Sequence, residues 1–213
     1  MAINEWWIEN PKERYWMEIT DRENLGANLI APTRGENDRE IWHYSLVSHV
    51  QPGDVVFHWW SRSDRTASIV GYSTVSGDWF TSRIKWETHT PNTSGARTGP
   101  AFEAPLTDFT ELETEITLED LRAQEAKLRK IHDALKLAVG GAIYFPWAFS
   151  EKRPLRTTQG YLVKMPASVV ALLTGLAVAQ KPPAKKKSRK GTKGTGGRQQ
   201  DPAVRKAIER HAM

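Results

Sequence analysis

Eight of the nine tryptophans fall before residue 87: Trp6, Trp7, Trp16, Trp42, Trp59, Trp60, Trp79 and Trp86. An indole is a large flat apolar surface with an electron-rich face, so rings set beside polar neighbours suit stacking on a nucleobase or covering a cation. The same rings also fill the cores of small β-rich domains, and a single tryptophan is core unless its surroundings argue otherwise. Trp59 and Trp60 are consecutive in the apolar run VVFHWW, so on a strand they face opposite sides. Alternation with Phe57 gives Trp59 the core and leaves Trp60 facing outward or into a pocket. Reading a stacked base needs donors and acceptors close by. Ser45, His58 and Asp78 are candidates, with Asn10 a more remote one, and Arg62, Arg65 and Lys85 offer phosphate contacts.

Other chemistry is excluded by what the chain lacks. There is no cysteine, hence no disulfide, thiolate metal site or cysteine nucleophile. His43, His49, His58, His89, His132 and His211 show no metal-ligand spacing with carboxylates, and no glycine-rich loop precedes a helix to cradle phosphate. The chain is therefore read as non-catalytic, with no cofactor and no metal. No apolar run is long enough to span a bilayer and the N-terminus is too polar for a secretory signal, which predicts a cytoplasmic protein with no membrane partner.

The formal net charge of +5 is misleading. Residues 181–198 carry eight Lys or Arg and no acid, whereas residues 1–180 hold 19 basic against 23 acidic side chains. Basicity belongs to the tail, so any grip on phosphate by the body must be local.

The elements that position these residues are mostly short strands. EWWIEN and RYWMEIT read as two strands broken at Asn10-Pro11, and residues 24–40 as a long polar loop of the kind that is functional or disordered. IWHYSLVSHV reads as a short helix. The turn Gln51-Pro52-Gly53-Asp54 launches VVFHWW, with SIVGYSTVSG as its hairpin partner. Residues 87–105 read as another loop. Thr117 caps a helix running to Leu137, with Glu119 and Asp120 in its first turn and Gly140-Gly141 to stop it. AIYFPWAF and QGYLVKM are short strands, and Pro166 opens a last helix to Ala179. Beyond Gln180 the Lys/Pro/Gly/Ser/Thr composition cannot form a core. Residues 179–200 are thus a flexible basic linker, and 201–213, with Asp201 and Pro202 at a helix start, the opening of a further domain.

QPGDVVFHWW, then SIVGYSTVSGDWF, then YFPWAFSEKRPLRTTQGYLVKMP together resemble the EVE domains of the PUA-like superfamily, relatives of the YTH readers of methylated RNA. The resemblance covers residues 1–178. It implies an α+β fold, a small curved PUA-like β-barrel with flanking helices followed here by the disordered basic tail, and a pocket that holds one flipped-out base between aromatic rings. By correspondence one wall falls at Trp42 and another at Trp79, with Trp59 or Trp60 completing the cage, while Arg153, Arg156 and Gln159 stand where the family contacts the flipped nucleotide and its backbone. Unstacking a base costs a few kcal/mol, and aromatic stacking returns ~1–3 kcal/mol.

The function so implied is recognition of a modified base, most simply modified cytosine, in double-stranded DNA by the targeting module of a modification-dependent restriction system. Cutting is expected from a C-terminal nuclease domain beyond residue 213. The alternatives are an RNA-modification reader of YTH type, told apart by a 2′-hydroxyl contact, and a β-barrel that binds a small molecule or protein.

Overall fold

The computed structural model describes residues 4–35, 38–62, 64, 66–90 and 93–180, by backbone alone for 87–90, 93–96 and 177–180. The basic linker, the helix opening at 201–213 and Arg65 lie outside the described residues. In chain order the elements are β1 (Tyr15–Thr20), β2 (Asn28–Pro32), α1 (Trp42–Ser45) with a 3₁₀ turn over Leu46–His49, β3 (Val55–Ser61), β4 (Ala67–Val75), β5 (Phe80–Thr90), β6 (Thr93–Thr117), α2 (Leu118–Ala123), α3 (Glu125–Val139), β7 (Trp147–Ala148), β8 (Arg156–Thr157), β9 (Leu162–Lys164) and α4 (Ala167–Gln180).

Seven strands make one mixed sheet in the order β2-β6-β4-β3-β1-β9, with β5 also on β6, and β7 and β8 form a separate pair. β1 and β3 run parallel, which sets Glu18 opposite His58, and β3 and β4 form the expected antiparallel hairpin. Register shifts in the β3–β4 and β4–β6 pairs, with Asp108 at φ 56 inside β6, bend and twist the strands, so the sheet curls. The fold is α+β.

Alternation along each strand divides two cores between the faces. Met17, Trp59, Ile69 and Val163 meet Leu121, Leu128, Val169 and Leu173 of the helices. On the inner face Trp16, Val56, Val75 and Leu162 gather around Leu29, Ala104 and Leu106, with Trp7 over them. Local signals end the helices as predicted: Thr117 and Asp120 form a reciprocal capping box, Gly140 takes the left-handed conformation at φ 66, and Ala167 N–H, opening α4, donates to Glu13 Oε2 at 2.9 Å. The single helix expected over 117–137 is divided at Gln124 into α2 and α3.

Three expectations are corrected. EWWIEN is a turn, closed by Ile8 N–H to Glu5 O and Asn10 N–H to Trp7 O, both at 3.0 Å. A strand would send Trp6 and Trp7 to opposite faces; the turn lets Trp7 pack edge-on against Trp16 at 5.3 Å between centroids. The loop at 24–40 contains β2, paired with β6 from Asn28↔Pro105 to Pro32↔Ala101. The loop at 87–105 is instead the β5–β6 hairpin, whose polar Thr, Ser and Gly residues are held by cross-strand backbone pairing.

Candidate functional site

Trp42 opens α1 and is half-buried, its ring stacked on Tyr144 at 5.1 Å and 26°. The adjacent His43 lies edge-on to it at 5.3 Å. Burial pulls the His43 imidazole down to about 4, so the ring is neutral at pH 7, and its Nδ1 accepts the Tyr161 N–H at 3.1 Å. A Cβ on Gly160 would fall 3.1 Å from the His43 Cβ, so only glycine lets the chain pass this close. These two contacts tie α1 to the segment that carries Arg153, Arg156 and Gln159, all three exposed. The result is an aromatic ring, a neutral imidazole and an exposed segment with two arginines, held in one neighbourhood by residues 118 apart in sequence. An indole can stack on a base while guanidiniums meet phosphate.

The other predicted residues are dispersed. Trp59 is 2% exposed within the helix-facing core, and its ring presents no surface to a ligand. Trp60 lies under the Arg62 guanidinium at 4.6 Å with its Nε1 buried and without a hydrogen-bond partner, and Arg62 also pairs with Glu115 and donates to Ser68. Trp79 and Phe80 are exposed at the β4–β5 turn, Trp79 edge-on to Phe102 at 5.8 Å with the exposed Asp78 before it. Lys85 is exposed on β5, and Asn10 in its turn accepts the Lys12 N–H. The Ser45 hydroxyl sits 3.4 Å from Ile41 O, inside its own helical turn.

His58 belongs to a sealed polar network. Its Nδ1 is 2.8 Å from Glu18 Oε2 and its Nε2 2.8 Å from Ser73 Oγ, all three residues being 0% exposed. The other Glu18 oxygen accepts from Arg22 Nη2 at 2.8 Å and from the Tyr161 hydroxyl at 2.7 Å. Arg22 also reaches Asn28, which donates to Glu103. Burial pushes the Glu18 carboxyl up, but the hydrogen bond and charge of His58, with Arg22 and Tyr161, outweigh it and hold the carboxyl below its usual range. The Tyr161 phenol is pushed well up by burial and by Glu18. Phe109, placed by the β6 bulge, covers the cluster with its ring 5.6 Å from His58, in space left by Gly26 and Gly71. Every carboxylate oxygen of Glu18 is matched, which marks the cluster as a brace across β1, β3 and β4.

Two features escaped the sequence reading. The first is this network, whose members lie far apart in the chain. The second is a cleft of about 360 Å³ beside β6, lined by Arg34, Asp38, Trp86 and Arg97 among others. Its signals were the alternation of Ser82, Ile84 and Trp86 against Arg83 and Lys85, and the functional expectation for residues 24–40. Among the described residues no group of three or more His, Asp or Glu is placed to hold a metal, and no helix is long and apolar enough to cross a membrane.

No protein-family model matches the sequence, nor does any curated protein sequence. Solved structures similar to this chain include the NMR structure of Rpa0253 from Rhodopseudomonas palustris, which is 11% identical over 79% of this chain and 95% of its own, with a TM-score of 0.42. Human THYN1, crystallised in complex with DNA containing 5-methylcytosine, is 11% identical over 79% and 99%, with a TM-score of 0.38. The N-terminal domain of Staphylothermus marinus McrB is 12% identical over 79% and 94%, with a TM-score of 0.36.

Proposed function

We propose that residues 1–178 form an EVE-type, PUA-like reader that recognises a modified base, in the first instance modified cytosine, in double-stranded DNA, the base leaving the duplex to stack at Trp42. The observation that carries this reading is the tether between α1 and the Arg153–Gln159 segment through His43, Gly160 and Tyr161. It joins the element that carries the half-buried Trp42 to a segment with two exposed arginines, on a body whose overall charge would repel DNA. The order of the three sequence segments that resemble the family supports the same assignment. Trp79, with Asp78, is the second aromatic candidate, exposed enough to meet a flipped base from the β4–β5 turn. The basic tail adds phosphate attraction without selectivity, and cleavage belongs to a separate nuclease-type domain.

The test is binding to duplexes that differ only in one modified cytosine. The protein prefers the modified duplex, and Trp42→Ala, measured at a temperature where the variant is folded, loses ~1–3 kcal/mol of that affinity. Arg156→Ala weakens both duplexes and flattens the salt dependence. Equal affinity for the two duplexes, or tighter binding of a methylated single-stranded RNA, would overturn the reading.

A further inference from the structure

The β5–β6 hairpin outgrows the sheet in which it is rooted. β2 accompanies β6 only from Asn28↔Pro105 to Pro32↔Ala101, with a last bond from Thr33 N–H to Pro100 O at 3.0 Å, and β4 pairs with β6 only from Leu106 onward. Eight pairs, from Arg83↔Pro100 to Thr90↔Thr93, therefore belong to β5 and β6 alone. They form a two-stranded arm that spans about 24 Å.

A two-stranded hairpin is marginal in water by itself, and one face of this arm is taken up with holding it together. Ser82, Ile84 and Trp86 alternate half-buried on that face, and the Trp86 indole lies across β6 at Gly99, where a Cβ would stand 3.1 Å from its Cη2. The opposite face is built from Thr81, Arg83 and Lys85 of β5, directly opposed by Phe102, Pro100 and Thr98 of β6. All of these except Phe102 are exposed. Among the described residues no carboxylate pairs with Arg83 or Lys85. The next position in the row is the acidic Glu87, so the cationic stretch is confined to the root of the arm.

Trp79 stands at the head of that row, exposed and edge-on to Phe102 at 5.8 Å. Phe102 packs against the inner core that also receives Trp42, so the cationic face of the arm continues the face of the sheet on which both aromatic candidates lie. Alternate positions of a strand are about 6.8 Å apart, a separation close to that of consecutive phosphates on one nucleic-acid strand. The major groove, about 12 Å wide, admits a two-stranded ribbon.

We propose that the β5–β6 arm is a second DNA contact, a ribbon laid along the duplex beside the base-reading site, with Arg83 and Lys85 on phosphates of one strand. This rests on the reading of residues 1–178 as a DNA binder. A body with 19 basic against 23 acidic side chains must hold phosphate locally, and this is a place where two cations stand open on one face. The arm adds affinity and fixes register without reading the base, because phosphates are alike in modified and unmodified DNA.

The experiment measures binding of the whole chain, over a series of salt concentrations, to two duplexes that differ only in one modified cytosine. Arg83→Ala combined with Lys85→Ala weakens both duplexes by the same factor and makes the slope of log K against log salt shallower by about two. Lys127→Ala combined with Lys130→Ala removes the same charge from exposed positions of α3 and leaves the slope unchanged. Because the chain has no cysteine, Thr98→Cys, opposite Lys85, carries a single photo-crosslinker that joins the protein to either duplex, whereas the same group on Lys130→Cys does not. An unaltered slope in the Arg83/Lys85 variant, an equal loss in the α3 variant, a loss confined to the modified duplex, or no crosslink from Thr98→Cys to bound DNA would overturn the proposal. Equal affinity of the wild type for the two duplexes overturns base reading alone, since the slope and the crosslink do not depend on the modification. Binding of neither duplex overturns both.

Discussion

Arg22 and Arg34 each meet a carboxylate four residues away, Glu18 and Asp38, and the two pairs do different work. Glu18 is wholly buried and both its oxygens are taken by protein groups, so its pair braces the sheet, although the Arg22 Nε is buried without a hydrogen-bond partner. The Arg34–Asp38 pair is 54% and 85% exposed by side chain and stands beside an indole at the edge of a hollow. The same residue types are thus locked into the fold when sealed and left to solvent when open, and burial decides which. A buried charge whose partner is removed is left desolvated and uncompensated, whereas an exposed one is rehydrated and screened.

The sharpest way to break that comparison is to remove the buried carboxylate. Glu18→Ala leaves the Arg22 and His58 side chains without their acceptor and is expected to cost ~3–5 kcal/mol of unfolding free energy, read from urea denaturation. A loss no larger than that of Asp38→Ala would end the distinction. Removing Arg34 works the other way: Arg34→Ala changes the unfolding free energy read from urea denaturation by no more than ~1 kcal/mol.

Acid titration isolates the buried carboxylate. Because the folded Glu18 carboxyl is held below its usual range, its stabilisation is fully present above about pH 4.3 and is lost as pH falls below that value through the lower folded one. In Glu18→Gln the part of the acid unfolding due to this group disappears.

Lys164 shows a buried cation under a different balance. Its Nζ donates to Glu13 O at 2.5 Å and Tyr15 O at 3.0 Å and lies 4.2 Å from the Trp16 ring centroid. Burial pulls the ammonium down to about 7 against the opposing pull of Asp54 and Glu13. Between pH 7 and about 10.4 the unfolded chain binds more protons than the folded one, so this group makes stability rise with pH across that window. The urea midpoint of the wild type relative to Lys164→Met therefore increases from pH 7 to pH 9. A flat difference would show that the carbonyls and indole hold the ammonium charged.

The smallest effect is expected at Asp38. Asp38→Gly relieves the left-handed backbone and removes an exposed charge, so stability shifts by less than ~1 kcal/mol.

Much of the architecture is legible from local residues. Thr117 with Asp120, Gly140, and Pro166 with Ala167 mark helix ends through backbone groups within a few positions of themselves. VVFHWW and SIVGYSTV announce a hairpin by their apolar content and the turn between them. β2 is hidden because it is five residues long and its partner strand lies some seventy positions further along the chain. The β5–β6 hairpin is local, but much of its sequence is Gly, Thr, Ser and Pro and reads as loop.

The same division runs through the candidate site. The amino-acid sequence by itself determined that the aromatic content is concentrated before residue 87, that the body is slightly acidic while the tail is basic, and where several strands and helices begin and stop. Those properties depend on composition and on neighbours along the chain. Only the tertiary structure decided that Glu18 meets His58 across a parallel pair forty positions apart, and that His43 receives the Tyr161 N–H. It likewise joined Trp86 to Arg34 around a hollow. Each of these depends on strand register, and a shift of one residue would turn every side chain on that strand to the opposite face.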